Sequence, residues 1–101
     1  MRLTPSQVET IRDTARRCFG QDADVWLFGS RVDDTRRGGD IDLYIETDID
    51  TPEASWDAER RVLGALYMAL GEQKIDVVVK RRGDQRQLPI FEVSRAQGVH
   101  L

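Results

Sequence analysis

Leu27-Phe28-Gly29-Ser30-Arg31, then nine intervening residues after Ser30, then Asp40-Ile41-Asp42-Leu43-Tyr44-Ile45: this stretch decides how the chain is read. An apolar run ends in Gly-Ser, a polar loop follows, and a second apolar run opens with two carboxylates one residue apart. On a strand, side chains alternate between faces, so Asp40 and Asp42 share one face while Ile41, Leu43 and Ile45 share the other. Two like charges about 7 Å apart along a face repel unless a cation sits between them. A divalent metal is the simplest such cation.

Working outward, Ile75-Asp76-Val77-Val78-Val79 is a short β-branched run with one acid near its start, which predicts another strand. Paired beside the Asp40–Ile45 strand, it would bring Asp76 to the same face as Asp40 and Asp42. Three convergent oxygen ligands suit Mg²⁺ or Mn²⁺, which combine carboxylates with waters and substrate phosphates. Two such ions roughly 3.5–4 Å apart serve in-line phosphoryl and nucleotidyl displacement.

Upstream, Thr4-Pro5-Ser6-Gln7 predicts a helix start, with Thr4 as N-cap, Pro5 in the first turn and Gln7 completing a capping box. Leu3 and Val8 occupy the staple positions. Val8, Ile11, Ala15, Cys18 and Phe19 recur at helical spacing, and Gly20 marks the stop. Val25-Trp26-Leu27-Phe28 is apolar on both faces and reads as a central strand. Thr51-Pro52-Glu53 opens a second long helix, whose core-facing stripe is expected to comprise Trp56, Leu63, Leu66 and Leu70 with Val62 and Tyr67, ending near Gly71. Lys80-Arg81-Arg82-Gly83-Asp84 reads as a basic loop, either solvated or a patch for an acceptor. Pro89 to Gln97 predicts a short final helix closed by Gly98. The order gives an α/β (α+β) sandwich, a small mixed sheet with helices packed on it, in one domain spanning residues 1–101.

Composition narrows the class. The chain has 101 residues, 40% apolar and 33% charged, with a formal net charge of −3. One core is all that such a length supports. No apolar run approaches the about 18 residues that span a membrane, and the start lacks a secretory stretch. A lone Cys18 excludes an internal disulfide framework and fits a cytoplasmic location. His100 is the only histidine, which leaves little for histidine-based chemistry. The acidic balance argues against nucleic acid as a direct ligand.

Gly29-Ser30, the nine-residue gap, Asp40-x-Asp42 and the later Asp76 resemble the DNA polymerase β-like nucleotidyltransferase superfamily. The likeness covers roughly residues 8–98 and is greatest to the minimal nucleotidyltransferases, antitoxin partners of HEPN toxins. It implies the palm-like nucleotidyltransferase fold without an accessory domain. It implies Mg²⁺ (or Mn²⁺) held by Asp40, Asp42 and Asp76, with ATP as substrate. Asp76 matches the third acid, which binds one ion and can help deprotonate the attacking hydroxyl. Gly29, Ser30 and Arg31 match the nucleotide-binding turn, where backbone N–H groups, a hydroxyl and a cation meet the triphosphate. The implied reaction is transfer of AMP to a hydroxyl, a tyrosine of a HEPN-type toxin, within a hetero-oligomer. Tyr44 and Glu46 follow on the same face, either bordering the nucleotide or packing in the core or at the rim. A catalytically silent subunit that binds nucleotide and neutralises its partner by complex formation is the alternative, and a stand-alone transferase acting on nucleic acid is a third.

Overall fold

Thr4 begins the structure's first helix by the exchange its sequence predicts. In the computed structural model, which describes residues 3–28, 41–71, 74–84 and 88–101, the Thr4 hydroxyl accepts from the Gln7 backbone N–H at 3.1 Å, and the Gln7 side chain accepts from the Thr4 N–H at 2.9 Å. Two N–H groups that the helix itself leaves unpaired are thereby satisfied. Helix α1 (Pro5–Phe19) ends where Gly20 adopts a positive φ of 107° and returns its N–H to the Arg16 carbonyl. Helix α2 (Pro52–Leu70) repeats the plan, with Thr51 capping Ala54 and Gly71 at φ 84° closing the last turn. Both ends use a backbone region open mainly to glycine.

The remaining elements are β1 (Asp24–Phe28), β2 (Ile41–Thr47), β3 (Ile75–Arg81), α3 (Pro89–Gln97) and β4 (Val99–His100). They form a four-stranded sheet in the order β3-β2-β1-β4. β1 runs antiparallel to both neighbours, while β2 and β3 are parallel and joined through α2. The sheet is therefore mixed, as expected, and β1 is central. β3 continues through Arg81, so Lys80 and Arg81 lie on a strand rather than in the expected loop. Sequence periodicity gave no sign of the two-residue β4.

The two faces of the sheet carry separate cores. Ile41, Leu43 and Ile45 of β2 join Val25, Leu27 and Ile75 against Ile11, Ala15 and Phe19 of α1 and Val62 and Leu66 of α2. On the opposite face Trp26, Tyr44 and Phe91 of α3 form a small aromatic cluster with Phe28 and Val78. The buried side of α2 is Ser55, Ala58, Val62 and Leu66. Trp56 and Tyr67, expected in the core, are instead 68% and 44% exposed. Small residues at 55 and 58 fill the inner side of the first turns, and Trp56 falls outside it.

Candidate active site

Strand periodicity places the acids. With Ile41, Leu43 and Ile45 in the main core, Asp42, Tyr44 and Glu46 must face the other way. Pairing then arranges this second face in rows. Phe28, Asp42 and Asp76 share the first; His100, Trp26, Tyr44 and Val78 the second; Asp24, Glu46 and Lys80 the third. Asp42 and Asp76 are direct register partners on adjoining parallel strands, so the two carboxylates stand side by side at one end of the face.

The middle row is a hydrophobic floor under α3. Tyr44 lies 6.1 Å from the Phe91 ring and 5.4 Å from Trp26, and His100 stacks on Trp26 at 4.6 Å. Tyr44 and Glu46 are both buried, and the tyrosine hydroxyl donates to the Glu46 carboxylate at 2.8 Å. Both side chains are thus absorbed into packing rather than lining a nucleotide. Trp26 and Tyr44 are buried in this row, while the acid row reaches solvent, with Asp76 about half exposed.

Lys74 Nζ lies 3.9 Å from Asp76 Oδ2, and its backbone carbonyl accepts from Ile41 N–H at 2.9 Å. That backbone bond ties the start of β3 to the start of β2, where the acids sit. An ammonium beside a carboxylate favours its charged form. The oxygen donor set fits Mg²⁺ or Mn²⁺. Among the described residues no group of three metal-ligating side chains converges, and Asp40, the expected third acid, lies outside them. Gly29, Ser30 and Arg31 lie outside the described residues as well; the segment that carries them joins Phe28 to Ile41, the two residues that flank the acid row in the chain.

Sequence reasoning missed Lys74 and Phe28 at this end of the sheet. The contact with Asp76 places Lys74, and parity along β1 would have placed Phe28 on the Asp42 face once the pairing was known. In the structure the two arginines of the basic run are tied to neighbouring loops rather than solvated or grouped as a patch. Arg82 donates to the Asp22 carbonyl at 2.8 Å and pairs with Asp24 at 2.7 Å and Asp48 at 3.1 Å. Burial works against its charge, but hydrogen bonds and attraction from Asp48 and Asp24 outweigh it and hold the guanidinium above its ordinary pKa. Arg81 donates to the Asp50 carbonyl at 2.8 Å. These two arginines fasten the loops at the far end of the sheet, away from the acids.

A family model for the nucleotidyltransferase domain matches residues 8–99. No curated protein matches the chain. Within the matched range lie both ends of the sheet, the acid row and all three helices but the first turn of α1.

Proposed function

The chain belongs to the nucleotidyltransferase domain family, and we propose that within it the protein transfers AMP from ATP to a hydroxyl of a partner macromolecule. The observation that carries the reading is the register pairing of Asp42 with Asp76 at a solvent-reaching end of the face that carries the aromatic cluster. Asp42 and Asp76, with Asp40, would hold Mg²⁺, which when bound polarises the α-phosphate and offsets charge on the departing pyrophosphate. The acceptor oxygen forms a bond to the α-phosphorus, the bond to the bridging oxygen of the β-phosphate breaks, and pyrophosphate leaves. The hydroxyl proton passes to a carboxylate of the acid row, for which the half-exposed Asp76 is the accessible candidate. Gly29, Ser30 and Arg31 would hold the triphosphate. Lys74, 3.9 Å from Asp76, would place a cation near the phosphate oxygens.

We take the acceptor to be presented by a partner, which the resemblance to minimal nucleotidyltransferases makes a HEPN-type toxin, modified on a tyrosine and thereby neutralised.

The test is label transfer from ATP carrying a labelled α-phosphate, in a lysate of the source cells, comparing wild type with Asp42→Asn, with and without Mg²⁺. A labelled protein band that needs both metal and Asp42 is the expected result. Labelled RNA would move the acceptor to nucleic acid. No label with ATP or any other nucleotide would sink the catalytic reading and favour a silent binding subunit.

A further inference from the structure

Strand β3 is an edge. Among the described residues it pairs with β2 alone, leaving a seven-residue strand with one row of backbone groups turned outward. Long edges are pairing templates, and soluble proteins shorten, bend or cover them. The opposite edge, β4, has only two residues. Beside β3, Trp56 and Glu59 of α2 face Val79 and Arg81 across an open groove. Trp56, Leu63 and Tyr67 fall on one side of α2 by helical spacing, and Trp56 and Tyr67 are exposed. Gly64, on the outer part of the same helix, has nothing among the described residues within 4 Å of where a Cβ would stand. A helix-interior glycine in such open space weakens the helix relative to alanine without return inside the monomer.

The sequence of β3 is self-complementary. Laid antiparallel on its own copy about a two-fold at Val78, Asp76 faces Lys80, Val77 faces Val79, and Ile75 faces Arg81. Side-chain parity allows only register shifts of two residues. One such shift sets Lys74 against Lys80. The other sets Asp76 against Arg82, which is already committed to Asp24 and Asp48. Shifts of four set Asp76 against itself or Lys80 against itself. The register about Val78 also sets Lys74 against Arg82, a cation that Asp24 and Asp48 already offset, and it alone of these sets Asp76 against Lys80; like charges directly opposite destabilise a pair, so the charge pattern favours that register.

The helix agrees with the strand. Val79 and Arg81 stand level with the turn from Trp56 to Glu59. Moving to Val78 shifts the level by about four helix residues at ordinary strand and helix rises, to near Arg61. A two-fold at that level sets Trp56 of each copy against the Leu63–Tyr67 stretch of the other, with Gly64 in its path.

We propose that the occupant of this edge is a second copy of the chain, paired β3 to β3 about Val78 with the α2 helices packed beside the strands. The two four-stranded sheets then become continuous. Lys80 of the second copy stands opposite Asp76, so each acid row borders a cation donated by the other copy.

The test is sedimentation of the purified full chain over a concentration series. Wild type sediments as a dimer. Lys80→Asp sets carboxylates against each other twice and weakens the dimer roughly tenfold or more. Asp76→Lys does the same with ammonium groups. The double exchange D76K/K80D restores opposite charges and returns the dimer, which separates loss of pairing from loss of folding. Trp56→Arg weakens the dimer in either background. A wild-type monomer at every concentration, including one that assembles only with a different protein, overturns the proposal. So does a dimer indifferent to the single exchanges, or a double exchange that fails to restore it.

Discussion

Replacing Asp76 by asparagine separates the acid row's cost from its use. At concentrations low enough to keep the chain monomeric, two opposed effects set the stability of the variant without metal. Removing one of two carboxylates at directly opposed positions relieves a repulsion worth about 0.2–1 kcal/mol. It also removes the 3.9 Å contact with Lys74, a pair with both side chains more than half exposed, worth about 0–1 kcal/mol. The terms offset, and Asp76→Asn should unfold within about 0.5 kcal/mol of wild type, a Tm difference of no more than about 4 °C for a domain of this size. Added Mg²⁺ should then act on one protein and not the other. At about ten times its Kd, a metal bound only by the folded state stabilises by about 1.4 kcal/mol, which raises Tm by about 6–11 °C.

Thermal unfolding followed by circular dichroism, with and without Mg²⁺, reads both quantities on the same samples. Two results would refute the reasoning. An equal Mg²⁺ shift in wild type and variant would place the metal elsewhere. A loss of more than about 2 kcal/mol without metal would make Asp76 a structural acid, since only a group with buried partners carries that much.

Thr47 is fully buried, and its hydroxyl donates to the Phe19 carbonyl at 2.7 Å and accepts from Ile49 N–H at 3.3 Å; Thr47→Val should cost about 2 kcal/mol in urea denaturation, and Thr47→Ser distinctly less. Burial raises the pKa of Glu59, so the folded state holds that proton more tightly than the unfolded chain and ionisation subtracts stability as pH rises through the raised value. Glu59→Gln should therefore be more stable than wild type at pH 7, with the difference fading as pH falls below the ordinary glutamate value of 4.5; a difference that grows on acidification would contradict the sign. Arg82→Ala should cost about 1 kcal/mol through its ties to Asp24 and Asp48, and the difference should shrink in high salt.

Much of this architecture is written locally. The Thr4 and Thr51 caps, the glycines that close both long helices and the alternation along Ile41–Ile45 are each decided within a few residues, and each is found where its chemistry predicts. The pairing of Asp42 with Asp76 needed one further step, the adjacency of two β-branched runs, which a parallel β2-α2-β3 unit supplies. What was not legible depends on partners distant in the chain. Trp26, Tyr44 and Phe91 come from three elements and meet only when α3 folds over the sheet. Arg82 reads as solvated because Asp24 and Asp48, which hold it, are 58 and 34 positions away. On α2 the apolar residues are too many for one stripe, and size misleads. The buried side takes Ser55 and Ala58 and leaves the larger Trp56 outside.

The acid row and the main core are bound to each other through a single strand. β2 offers alternate residues to each, so a slip of one position would drive Asp42 into the helix-covered core and turn Leu43 to solvent. The placement of the acids is therefore only as firm as the register of β2, and that register is pinned at both ends. At the start, Ile41 N–H bonds the Lys74 carbonyl at 2.9 Å. At the finish, Arg82 N–H bonds the Thr47 carbonyl at 2.8 Å while the Thr47 hydroxyl holds the end of α1. None of these bonds touches the acids, yet together they fix which side of the sheet Asp42 occupies. Burying apolar side chains on one face of β2 holds two like charges together on the other, an arrangement that a free strand would relax.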